Sequence, residues 1–166
     1  MTDRPELKTI SLESVPRALE KAERYRLLND PEQAESICHD VLAVDANNIA
    51  AKRIMVLALT DQFVGGGQNV RAKHARSFAR ELPDPYEQKY YLGVVYEREA
   101  RAYLAKDLSG SFAFEAFREA MELFEEAAQI RPAGNDDAIL RYNSCVRTIT
   151  ARGLSARDSE PEQPLE

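Results

Sequence analysis

Apolar positions recur every three or four residues from about residue 15 to about residue 150, the spacing of one face of an α-helix. In "VPRALEKAERYRLL", Ala18, Ala22, Tyr25 and Leu28 keep that spacing after Ser14. "NDPEQ" interrupts it. Asp30 is a good N-cap there, Pro31 suits the first helical position, and Gln33 is placed to complete a capping box. A second helix carries Ala34, Ile37, Cys38, Val41 and Leu42 on one face and ends at "DANN". A third, "IAAKRIMVLALTDQF", runs into three glycines, Gly65 to Gly67. The fourth, "VRAKHARSFARELP", sets Ala72, Ala75, Phe78, Ala79 and Leu82 opposite a basic stripe of Lys73, Arg76 and Arg80. "PDPYE" repeats the earlier punctuation, with Asp84 as N-cap and Pro85 in the first turn. Two long helices follow, to about Lys106 and to Ile130, separated by "DLSGS" with the break at Gly110. "RPAGNDD" turns the chain into a last helix from about Asp136 to Arg152, striped by Ile139, Tyr142, Val146 and Ile149. Nothing in the chain needs a strand, so the expected fold is all-α: antiparallel helical pairs joined by short links.

The helices repeat. "AESICHDVLAVDANN" (34–48) aligns with "AMELFEEAAQIRPAG" (120–134), matching Ala34 to Ala120, Cys38 to Phe124, Val41 to Ala127 and Val44 to Ile130. "KAERY" (21–25) aligns with "LGVVY" (92–96), matching Ala22 to Gly93 and Tyr25 to Tyr96. This pattern resembles the tetratricopeptide repeat, a helix-turn-helix unit with the signature W-x2-L-G-x2-Y, then A-x3-F-x2-A, then P. "KYYLGVVY" and "AMELFEEAAQIRP" match it well. In the middle unit, Met55, Val56 and Leu59 stand where L, G and Y are usual, and Ala18, Lys52 and Lys89 replace the tryptophan. The units expected from the resemblance are about 15–48, 49–85 and 86–134, with a capping helix over 136–152. A flexible arm (1–13) precedes them and an acidic disordered tail (153–166) follows. The resemblance implies a short right-handed solenoid. The third unit is longer than the family's, and its added part carries Tyr103, Leu104, Phe112, Phe114 and Phe117. These aromatics are expected to pack within their own hairpin, which projects over residues 100–118; a docking knob is the other reading.

The glycines do not form a nucleotide loop. A phosphate-cradling loop follows a strand and ends in Gly-Lys-Ser/Thr, whereas "GGGQNV" follows a helix and lacks the lysine and the hydroxyl. A turn explains the stretch, with glycine closing one helix and Asn69 capping the next.

Composition narrows the function. The net charge of −6 over 166 residues disfavours nucleic acid and anionic membranes as partners. No run reaches the length needed to span a bilayer. The N-terminus has no secretory apolar region, and two distant cysteines mark no disulfide framework. A cytoplasmic location is therefore expected. Cys38, Cys145, His39 and His74 are the soft ligands or nucleophiles available, and their scatter fits neither a four-ligand zinc site nor a catalytic triad. Glu125 and Glu126 read as a solvated helix face, and Arg141, Arg147 and Arg152 as the soluble outer face of the capping helix. No catalytic residue, metal or cofactor is expected.

The resemblance implies a concave groove lined by the first helix of each unit, binding a peptide or helix of another protein. By register its residues are Leu19, Glu23, Arg26, Arg53, Leu57, Thr60, Tyr90, Val94 and Glu97. One subgroup of the family clamps a C-terminal carboxylate with Lys, Asn and Arg; here the matching positions are Leu19, Glu23, Ile54, Glu87 and Tyr91, so that clamp is absent. The expected function is a non-catalytic adaptor or scaffold. The alternatives are self-assembly as a homo-oligomer and a regulatory subunit of an enzyme.

Overall fold

A computed structural model describes residues 3–106 and 110–156. Its helices are α1 (Val15–Leu27), α2 (Pro31–Val44), α3 (Ile49–Thr60), α4 (Gln68–Arg80), α5 (Pro85–Ala105), α6 (Gly110–Gln129) and α7 (Asp137–Arg152). Short 3₁₀ turns lie at Leu12–Ser14 and Phe63–Gly65, and no strand occurs among the described residues. The protein is all-α, as the periodicity requires. The expected tail lies outside the described residues from 157 onward. The expected break over 107–111 does too, except for Gly110 and Ser111, which open α6. Within the expected arm, Ile10 packs against Val15 and Val41.

Asp30 and Asp84 cap helices as the sequence places them, and Asn48 caps α3 as well. Asp30 Oδ1 accepts from the Gln33 amide at 3.3 Å, Asn48 Oδ1 from Ala51 at 2.8 Å and Asp84 Oδ1 from Tyr86 at 3.0 Å. The expected return bond from Gln33 to Asp30 does not form. Helix α1 ends with Asn29 in the left-handed region (φ 60), which aims the Asp30 amide at the Tyr25 carbonyl, 2.8 Å away. This is a Schellman closure, and it has already used the donor that the capping box needs.

The glycine stretch is a turn, but Asn69 is not its cap. Gly66 (φ 107) and Gly67 (φ 65) take conformations that only glycine adopts cheaply. Helix α4 begins at Gln68, so Asn69 already lies inside it, and the Arg71 side chain donates to the Gly66 carbonyl across the turn.

The substantial helix–helix interfaces join helices one or two apart in the chain. Each helix packs on the next, and α3 also touches α1 and α5. Two main clusters form the core. One gathers Ala22, Ala34, Cys38, Met55, Phe63 and Ala75, and the other Val94, Ala113, Phe117, Ala120, Phe124 and Cys145. Two of the four hairpin aromatics, Tyr103 and Phe117, join the second: Phe117 is fully buried, and the Tyr103 ring lies 6.3 Å from that of Phe112. Phe112 remains 58% exposed.

Small residues decide how closely the helices approach. Ala22, Ala34 and Ala120 have no exposed surface. At Gly93 a Cβ would lie 2.6 Å from Phe124 Cε1, well inside contact distance. Alanine is the better helix former by about 1 kcal/mol, yet overpacking a filled core costs about 1–3 kcal/mol. Gly93→Ala is therefore expected to destabilise the chain in urea unfolding, and adding Phe124→Leu to recover part of the loss. A Gly93→Ala variant more stable than wild type would contradict the close approach of α5 and α6.

Candidate functional site

Helix α3 packs against both α1 and α5, so the three share one face. A depression of ≈ 320 Å³ opens there, lined by Glu23, Arg26 and Leu27 of α1, Ala50, Arg53, Ile54 and Leu57 of α3, and Tyr91 of α5. Four of the groove residues expected from sequence, Glu23, Arg26, Arg53 and Leu57, thus meet in one place. Leu27 and Ala50 were not anticipated. Leu27 lies one residue off the apolar stripe of α1, and its 86% exposure shows that it serves no core.

The other expected groove residues lie elsewhere. Leu19 is half-buried against the core. Thr60 is buried, its hydroxyl donating to the Leu57 carbonyl at 2.8 Å, and it lines an adjoining pocket. Val94 has no exposed surface and Glu97 only 2%. Tyr90 is half-buried and packs against Tyr86 and Phe124, with ring centroids 5.9 and 6.0 Å apart. Side chains of α7 account for much of this. Glu97 accepts from Arg101 at 3.0 Å and from Arg141 of α7 at 2.7 Å, and Arg141 also donates to the Tyr90 hydroxyl at 3.0 Å. Arg141, expected on the soluble outer face of α7, instead turns inward to a buried carboxylate, while Arg147 and Arg152 remain exposed.

The groove charges are mostly spoken for. Arg53 binds Glu87 at 2.7 Å, and Arg26 holds Asp61 in a two-bond fork at 2.7 and 3.4 Å. Arg98 differs. It lines the adjoining ≈ 290 Å³ pocket with Arg26 and Arg101. Its Nε is shut off from solvent, and no described residue accepts a hydrogen bond from it. Burial and then Arg141 push the Arg98 guanidinium below its ordinary pKa, against the opposite pull of Asp61 and Glu97.

The basic stripe on α4 is not continuous. Lys73 and Arg80 are exposed, but Arg76 turns toward α5, pairs with Glu99 and lies 5.4 Å over the Tyr96 ring. Burial raises the Glu99 carboxyl, and Arg76 opposes it.

The soft residues stay apart. His39 is exposed, 3.5 Å from Glu35 on its own helix, and His74 is exposed on the α2–α4 side. Glu125 and Glu126 are exposed. No group of three or more metal-ligating side chains occurs among the described residues, and no helix there is long and apolar enough to cross a membrane. Cys38 and Cys145 are free and fully buried. Burial foremost, then Glu35 beside Cys38 and Glu97 beside Cys145, pushes each thiol up from 9.0 to about 12. Neither is a thiolate nucleophile at neutral pH.

Those thiols set an alkaline limit. The folded chain keeps both protons after the unfolded chain has released them, so their stabilising contribution is complete below pH 9.0 and is lost as pH rises toward about 12. The decline reaches about 2.7 kcal/mol per pH unit for two such groups. Urea midpoints across this range should fall for the wild type. They should fall less steeply for the Cys38→Ala, Cys145→Ala double variant, whose remaining slope comes from tyrosines such as Tyr91, raised chiefly by burial. Parallel declines would contradict the assignment. No protein-family model, curated protein or solved structure matches this chain.

Proposed function

We propose that this chain is a small non-catalytic scaffold, built of TPR-like hairpins stacked as a short right-handed solenoid, which receives a peptide or helix of another protein. One observation carries the reading. Helix α3 bridges α1 and α5, and the outward residues of α1 and α3 meet Tyr91 of α5 in a single open depression. In a helical solenoid that is the face first helices present to a partner. The depression mixes apolar side chains, Leu27, Ile54 and Leu57, with Glu23, Arg26 and Arg53 at its walls, a composition suited to an amphipathic segment. The cytoplasm is the proposed location, where buried free thiols such as Cys38 and Cys145 are ordinary.

Glu23 and Leu27 are exposed, and Glu23 makes no ion pair with a described residue, so changing them leaves the core intact. Peptides selected from a random library on the wild type should bind a Glu23→Arg, Leu27→Asp variant at least about ten-fold more weakly, a loss of about 1.4 kcal/mol. They should bind Val70→Asp, on the α2–α4 side, as the wild type does. Equal binding to all three proteins would move the interaction off this face.

Self-assembly is the second reading, favoured by one feature of α7. Leu140 and Val146 remain exposed there, Val146 beside a depression of ≈ 380 Å³ whose apolar lining includes Met121 and Tyr142. Light scattering decides it: a monomer mass across the accessible concentration range excludes a role for that face in dimers, and a Val146→Asp-sensitive dimer supports it.

A further inference from the structure

The pocket beside the groove holds more positive charge than its own carboxylates neutralise. Arg26, Arg98 and Arg101 line it, with Asn29 and Thr60. Arg26 is matched by Asp61. Arg101 and Arg141 share the single carboxylate of Glu97. Among the described residues no carboxylate lies within ion-pair distance of Arg98, and its Nε has no acceptor. Two carboxylates therefore serve four guanidiniums, in a chain whose net charge is −6. Burial and then Arg141 lower the Arg98 pKa, while Asp61 and Glu97 oppose them.

The half-buried guanidiniums around the pocket outnumber their carboxylates and repel one another, and the Arg98 Nε adds the cost of a buried donor without an acceptor. An oxyanion entering among them offsets the repulsion. Arginine is also the side chain best shaped for this ligand, because its planar fork offers two parallel N–H bonds to a carboxylate or a phosphate. Thr60 spends its own proton on Leu57, leaving the guanidiniums and the Asn29 amide as the donors around the pocket. None of Leu19, Glu23, Ile54, Glu87 and Tyr91, the positions matching the tetratricopeptide carboxylate clamp, lines it.

We propose that this pocket binds an oxyanion carried by a peptide segment on the α1–α3–α5 face, with Arg98 as its bidentate ligand and Arg26 and Arg101 as flanking charges. The oxyanion is a side-chain carboxylate or a phosphate. The peptide carrier rests on the function proposed above; the anion pocket stands without it.

The first experiment uses inorganic phosphate against the full chain, with chloride at matched ionic strength as reference. At ten times its Kd, phosphate should raise Tm by about 3–6 °C. The rise should vanish in Arg98→Gln and persist in Lys73→Gln, which removes an exposed charge on α4. No phosphate-specific rise in the wild type, or equal loss in both variants, overturns the pocket. Should Arg98→Gln fail to fold, the wild-type Arg98 Nε–H resonance decides the matter: movement on phosphate titration supports the proposal and an unmoved signal overturns it. The second experiment tests the carrier with groove-selected peptides that bear glutamate, phosphoserine or glutamine at one position. A loss of ten-fold or more with glutamine supports the carrier, and whichever of the other two binds tighter identifies the group. Equal binding of all three overturns the carrier while leaving the phosphate result, and the groove itself, intact.

Discussion

Helix α5 lies against α6 at a distance that only a hydrogen at position 93 permits. The Phe124 ring occupies the space where any other residue would place its Cβ. Much of the rest of the molecule follows from this contact. Phe124 and its neighbours Phe117 and Ala120 form the second core cluster, and that cluster carries Ala138 and Cys145 of α7. With α6 close, Arg141 of α7 reaches Glu97 and Tyr90 of α5. Fully buried alanines stand at the corresponding contacts of α1 and α2, Ala22 and Ala34. Dense interiors leave no slack for a methyl group at such places, so the small residues set the geometry and the aromatics fill what remains.

Helix α5 is the centre of the electrostatic design. Successive residues on a helix point about 100° apart, and "EREAR" (97–101) spreads its charges accordingly. Glu97 points toward α7 and takes two arginines, whereas Glu99 points toward α4 and takes Arg76. Arg98 points into the pocket shared with α1 and α3 and takes no carboxylate of the described residues. Buried ion pairs of this kind are weak sources of net stability, because desolvation cancels much of their attraction. They do tie a helix in a fixed rotation about its own axis. That rotation turns Tyr91 toward the groove, while Tyr90 packs on Phe124 and meets Arg141.

Two surfaces among the described residues bear on function. The α1–α3–α5 face is concave and mixes apolar and charged groups, while the outer side of α7 exposes Leu140 and Val146 at the end of the stack. The proposed scaffold function rests on the first of these surfaces.

Much of this architecture was legible in the sequence. Helix positions follow from the apolar period, and the starts of α2 and α5 from Asp30 and Asp84, because those are local effects within a few residues of chain. The need for small residues at Ala22, Ala34, Gly93 and Ala120 was equally visible in the internal alignment. Local pattern failed where a donor or a long side chain had a choice of partners. Gln33 lost its expected bond to the closure of α1, and Asn69 was drawn inside α4 by the conformations of Gly66 and Gly67. Arg76 and Arg141 were placed by register on solvated faces, yet each turned to a buried carboxylate on α5. Val94 and Glu97 were placed on an open groove, yet both are buried, Glu97 beneath arginines from α5 and α7. Periodicity determines which direction a residue faces from its own helix. Only the packing of the other helices decides what stands in that direction, and so whether a charge meets water, a carboxylate or, at Arg98, a pocket lined by other arginines.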